Sequence, residues 1–413
     1  MSNSLPERRP SEIAHAVLRP SSVNREMITD DERRGLLADA GARDAEIAEL
    51  LEYNRNPFDH TLLPALRELP LPDEPFVQAW RGYAEAAATQ GLFRTLCQNL
   101  VQLHFPIQPG MSQSETYRHV TRQGGLPENM NETPGLRLIA PDELRLDIYP
   151  TAAGSIPILT VKKREDFVAL MQALLHRNEP VPIPDSKGAC MVAGYNNWGR
   201  VRSLQQAWEQ KRAAGEANGS WDAEFQRIIP RKELYQDRFI LLSSGPYSGV
   251  QASDLGLETA AWLESSWILR QEHEATHYFT RRLFRSMRNN LLDEIMADYM
   301  GITAAEGSFR ADWFLRFMGL EQTDRMRSSG RLAIYRASLS DQSFHLLAGL
   351  VRRAAENLAS FDRRCVAKPR TPVSRTAVLI ALAHGTLEAF AAEDGVSRLD
   401  QVFRSIMASN QLI

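Results

Sequence analysis

Apolar residues recur three and four apart in "DDERRGLLADAGARDAEIAELLEY" (30–53) and in "EPFVQAWRGYAEAAATQGLFRTLCQNLVQLHF" (74–105). That spacing predicts amphipathic helices through residues 29–105. The pattern fades after 105 into Pro, Gly, Asn and Ser, a loop-rich connection. A different texture follows. "ELRLDIY" (143–149) and "IPILTV" (156–161) are short and β-favouring. "REDFVALMQALLHRN" (164–178) reads as a helix opened by acidic residues. "GACMVAGYNNWGRV" (188–201) reads as a strand running into a turn at Asn196 and Asn197. "DRFILLSSGPYSGV" (237–250) starts as a strand and breaks at Gly245-Pro246. Beyond 255 the helical period returns, with helices expected over 256–284, 290–304, 310–318, 340–360 and 373–392. Residues 1–28 are polar, with Pro6, Pro10 and Pro20, and read as a flexible arm. The pattern therefore predicts a predominantly helical α+β fold in four parts: the arm, a helical region 29–105, a small α+β region 106–251 and a helical region 252–413.

Composition narrows the partners. Of 413 residues, 43% are hydrophobic and 24% charged, the balance of an ordinary globular protein. A net charge of −3 argues against nucleic acid or an anionic membrane surface as partner. There is no apolar run long enough to span a bilayer, and the first residues lack the apolar core of a secretory signal. Cys97, Cys190 and Cys365 lie far apart and are odd in number, which fits buried thiols in a reducing cytoplasm.

The chemistry gathers in "QEHEATHYF" (271–279). On a helix, residues four apart lie about 40° apart around the axis, so His273 and His277 share a face. Two imidazoles at that spacing can take two corners of a zinc tetrahedron. Glu274 is turned about 100° from His273, which suits a general base acting on a metal-held water better than a third ligand. "NNLLDEIMADYMG" (289–301) supplies Glu294 as the third ligand, and four residues on Asp298, placed to orient a ligand histidine. Sixteen residues separate His277 from Glu294. A first helix running on to Asn290 would carry Glu294 roughly 10 Å past the histidines, so that helix must stop near Phe284, with "RSMRN" (285–289) as the reversal. Asp293 is the ligand if the register differs.

HExxH on one helix, then a glutamate and four residues later an aspartate on the next, resembles the gluzincin zinc metallopeptidases, the thermolysin-like class. His273, Glu274 and His277 match the first part of that pattern; Glu294 and Asp298 match the second. The spacing of His277 to Glu294 is slightly shorter than is usual in the class. The resemblance covers about 30 residues. It implies one zinc ion, a peptide or amide substrate, and hydrolysis by a metal-held water with Glu274 as base. The same ligands also suit an iron-dependent enzyme, or a non-catalytic module that retains a metallopeptidase fold. The residue steadying the oxyanion is sought among Tyr299, His384, Tyr335 and His345, with Tyr299 and His384 taken first. "FILLS" (239–243) is the candidate edge strand for an extended substrate. Arg281, Arg282, Arg285 and Arg288 are candidates for gripping a substrate carboxylate, and "GYNNWGR" (194–200) has the composition of a binding loop. Oligomeric state leaves no mark in the sequence.

Overall fold

Thr29 caps the first helix by a reciprocal pair of bonds with Glu32: the Glu32 N–H donates to Thr29 Oγ1 and the Thr29 N–H to the Glu32 carboxylate. The computed structural model describes residues 27–65, 68–125, 135–286, 290–323, 325–368 and 370–408. Nearly all of the expected arm, and the end of the expected 285–289 reversal with Arg288, lie outside them.

The elements run α1 (Asp30–Asp39), α2 (Asp44–Tyr53), α3 (Phe76–Gln90), α4 (Leu92–Asn99), α5 (Glu115–Gln123), β1 (Arg145–Tyr149), β2 (Ile156–Val161), α6 (Arg164–Leu174), β3 (Ala189–Asn196), α7 (Trp198–Ala213), α8 (Trp221–Ile228) and β4 (Gln236–Ser243). They continue with α9 (Thr259–Phe284), α10 (Leu291–Glu306), α11 (Ala311–Met318), α12 (Asp341–Cys365), α13 (Pro372–Ala383), α14 (Leu387–Ala391) and α15 (Gly395–Ala408). The fold is predominantly helical α+β, as the pattern of apolar positions predicts. Among the described residues, no helix is long and apolar enough to cross a membrane.

Contacts divide the chain into two units, residues 73–274 and residues 1–72 with 275–413. The first holds the four-stranded sheet, in order β1-β2-β4-β3. β2 and β4 are parallel, and the two outer pairings are antiparallel. β2 is buried at every position, which explains its unbroken apolar run. Trp80, Leu96, Leu159, Phe167, Leu170, Phe239 and Leu241 belong to its core. At the end of β4 the buried Asp237 accepts bonds from Trp80 Nε1 (2.8 Å), Asn197 Nδ2 (2.6 Å) and Arg200 Nη1 (2.6 Å). Four acceptor positions meet three donors, so the carboxylate is satisfied where it lies.

Two expectations change here. "FILLS" lies in β4, and β4 is interior, paired on both sides; β3 is the edge strand on that side. "GYNNWGR" is structural, because Asn197 caps α7 and bonds Asp237 and Tyr83, while Trp198 Nε1 donates to the Thr121 carbonyl.

In the second unit the buried Glu388 of α14 takes Arg33 Nε at 3.2 Å and Asn54 Nδ2 at 2.8 Å, tying α14 to the first two helices. The helix expected over 373–392 is broken at 384–386. A Cβ at Gly385 would meet the Phe390 ring at 2.3 Å, so the chain turns tightly there. Asn56 Nδ2 replaces lost helical bonds by donating to the Ala383 and Gly385 carbonyls at 2.8 and 2.9 Å, and Thr386 caps the new helix.

Candidate metal centre

The α9 helix ends at Phe284, where the spacing of the motif requires it to end. Arg285 takes a positive φ of 53°, and the Asp59 N–H closes the Phe284 carbonyl at 3.0 Å. Asn290 then opens α10 by accepting the Leu292 N–H at 2.8 Å. Phe284 lies seven residues after His277 and the chain reverses before α10, which brings the Glu294 carboxylate to 3.7 Å from His277 Nε2. It falls in the first turn of α10, where exposed backbone N–H groups favour negative charge.

Among the described residues, His273, His277 and Glu294 each offer a ligand atom, all within 4.8 Å of one another, and all three side chains are buried. His277 Nε2 lies 3.7 Å from Glu294 Oε1. Two ligands on a zinc tetrahedron stand roughly 3.3 Å apart, given zinc–ligand bonds of about 2.0–2.1 Å. The three groups fit a metal ion of that size with the set slightly open. Two imidazoles and one carboxylate are also the donor chemistry that zinc and iron accept.

The far side of each ring is held. His277 Nδ1 lies 3.0 Å from Asp293 Oδ2, and the other Asp293 oxygen accepts from Thr280 Oγ1 at 3.0 Å. His273 Nδ1 lies 2.9 Å from the Tyr247 hydroxyl. With Nδ1 so held, Nε2 is the nitrogen that would serve as the ligand atom. Asp293, the reserve ligand by sequence, is thus a ring-holding carboxylate. Asp298, expected in that role, carries an ion pair with Arg331.

Glu274 is buried next to His273 on α9. Its charge is felt by Cys190 of β3, whose thiol is pushed up to about 12, first by burial and then by Glu274. Cys190 is therefore a protonated thiol and supplies no thiolate. Tyr335, in the short turn Arg331–Arg336, hydrogen-bonds Glu294, and burial holds its phenol well above the usual range, so it stays a neutral donor. Its backbone carbonyl is fixed by Tyr53 Oη at 2.6 Å.

The other candidates sit elsewhere. Tyr299 donates its hydroxyl to Asp362 at 2.6 Å and stacks on Phe309, so that hydroxyl belongs to a buried knot with α12. His384 donates from Nδ1 to the Ile380 carbonyl at 2.8 Å, and its ring lies tilted against that of His60. His345 is exposed on α12. Arg282 donates to the Pro72 carbonyl at 2.9 Å, and Arg285 lies 3.8 Å from Asp59. Sequence reasoning missed Tyr247 and Thr280. Thr280 lies three residues after His277, a spacing that places it beside the same ring; Tyr247 lies 26 residues before His273 and has no such signal.

No curated protein and no solved structure matches the chain. A model of the family described as "Family of unknown function (DUF7005)" matches residues 35–394, and the chain belongs to that family.

Proposed function

We propose that the protein is a zinc-dependent hydrolase of peptide or amide bonds. The observation that carries this reading is the convergence of His273, His277 and Glu294, with the buried carboxylate of Glu274 one residue from the first ligand. A structural metal site needs no such fourth group. A zinc ion held by His273, His277 and Glu294 would supply Lewis acidity, making water more acidic and polarising a substrate carbonyl. Glu274 takes the proton from the attacking water and delivers it to the leaving amine. Tyr335, a neutral phenol beside Glu294, is the donor placed to steady the developing oxyanion, in preference to Tyr299 and His384. An extended substrate lies along β3, an edge strand whose Cys190 feels the charge of Glu274.

The test is metal analysis of protein purified without added metal, followed by hydrolysis of peptide and amide substrates. One equivalent of zinc is expected. His273→Ala removes it. Glu274→Gln keeps the zinc and lowers turnover by about 10²–10⁴-fold. Iron in place of zinc, or full turnover in Glu274→Gln, overturns the reading.

A further inference from the structure

Ser266, Arg270, His273 and His277 stand at spacings of four, three and four residues on α9, within about 60° of arc around its axis. The first two residues of this stripe hold one tight turn. Ser266 Oγ accepts the backbone N–H of Tyr247 at 3.0 Å. The guanidinium of Arg270 donates to the carbonyls of Gly245 and Pro246, and it lies over the Tyr247 ring, 5.7 Å from the centroid. Further up the helix, Trp262 Nε1 donates to the Val250 carbonyl at 2.8 Å. Ser248 takes a positive φ of 53°, a conformation an L-residue holds only when its surroundings fix it. Gly188 leaves room for the arginine: a Cβ there would meet Arg270 Nε at 2.5 Å. These contacts hold the turn that carries Tyr247, and its buried hydroxyl meets His273 Nδ1 at 2.9 Å.

We propose that Tyr247 is a positioning residue for the metal centre, fixing the ring of His273 so that Nε2 faces the ion. This rests on the metal reading above and extends it to a residue outside the HExxH and glutamate pattern. With Nε2 kept as a lone pair for the cation, the proton sits on Nδ1 and is donated to the phenol oxygen. The two ligand histidines then differ in kind. Asp293 holds His277 with a carboxylate oxygen, a partner that strengthens the ring as a donor. Tyr247 holds His273 with a neutral oxygen, which fixes orientation and adds less to donor strength. The phenol is set by Ser266 and Arg270 on the helix that carries the ligands, so one helix supplies both ligand rings and the brace for one of them.

The test measures zinc affinity of the full chain by competition with a chromogenic chelator, beside the Tm of the metal-free protein and the visible spectrum of the cobalt-substituted form. Tyr247→Phe keeps the ring and its packing. It is expected to weaken zinc binding by about 10–100-fold and shift the cobalt bands, with the metal-free Tm nearly unchanged. Ser266→Ala, which touches neither the metal ligands nor the hydroxyl, loosens the seat of the turn and is expected to weaken zinc binding several-fold in the same direction. A zinc affinity within twofold of wild type in folded Tyr247→Phe overturns the proposal. So does a loss of zinc in both variants that only follows a loss of metal-free Tm. Wild-type protein that binds no zinc overturns the function proposed above and this inference together. Wild-type binding with an unaffected Tyr247→Phe overturns the inference alone.

Discussion

His273 and His277 stand one helical turn apart, each with Nδ1 held by a protein oxygen, and His277 Nε2 lies 3.7 Å from Glu294. His60 and His384 meet ring against ring, with centroids 4.3 Å apart and planes 36° from parallel. In the second pair His384 donates to the Ile380 carbonyl, and the ring of His60 bonds the Ala383 carbonyl. The remaining His60 nitrogen, Nδ1, is buried with no hydrogen-bond partner. Burial, and then the neighbouring His384, lower the His60 pKa from 6.5 to about 4. Both pairs are close, with His60 alone of the four rings partly exposed, and both contain residues that the sequence marks as candidates. What separates them is which atoms are left over. The first pair brings a ligand atom of each ring within 4.8 Å of the other and of the Glu294 carboxylate, an arrangement that a cation would complete. The second is two rings turned to backbone carbonyls, with burial and the neighbouring imidazole disfavouring a proton on His60.

Variants can break or sharpen this contrast. The largest effect is expected at the hydroxyl beside Glu294: Tyr335→Phe lowers kcat by about 10²–10³-fold with zinc still bound, read from steady-state kinetics and metal content. Unchanged kcat removes Tyr335 from the chemistry. Next comes Asp293→Asn, which keeps a hydrogen-bonding partner on His277 and removes its charge. Zinc affinity falls by about 10–100-fold in chelator competition, whereas His384→Gln leaves it untouched. Equal effects of the two variants would erase the distinction between the pairs.

The smallest effect concerns acid stability. The folded pKa of His60 lies below its unfolded value, so the unfolded chain binds more protons between pH 6.5 and about 4. Stability from this group is complete above pH 6.5 and is lost as pH falls toward 4. The loss is about 1–2 kcal/mol, less than full burial would give because the ring keeps some solvent contact. Urea unfolding at pH 7 and pH 4.5 measures it, and His60→Phe flattens the difference.

Periodicity made the metal ligands legible. The HExxH spacing placed His273 and His277 together, and the length of chain between His277 and Glu294 required the helix to stop at Phe284, where it does. The α+β class was legible for the same reason, since local alternation and helical period are properties of neighbours in sequence. Strand order was not, because "FILLS" has the same composition whether it lies at an edge or between β2 and β3. Nor was the break at His384. "TAVLIALAHGTLEAF" keeps a helical period across it, and the turn depends on Asn56, more than 300 residues away. The hydroxyl of Tyr299 faces Asp362 for a similar reason, since a helix position fixes direction but not what lies opposite. Asp293 shows the limit most plainly. It adjoins Glu294, and only the observed register of α10 decides which of the two reaches the ion and which grips the ring.

The pairing of β3 with β4 slips between Ala193 and Tyr195, where Gly194 takes a positive φ of 73°. Unshifted register with β4 therefore runs from Ala189 to Ala193, roughly 17 Å at about 3.4 Å per residue, and resumes in a shifted register at Tyr195. Such a kink works as a ruler. A chain aligned beside it stays in step for about five residues and then diverges. A substrate bound along β3 as proposed would be held over a short segment only, and the same irregularity disfavours edge-to-edge pairing along that border.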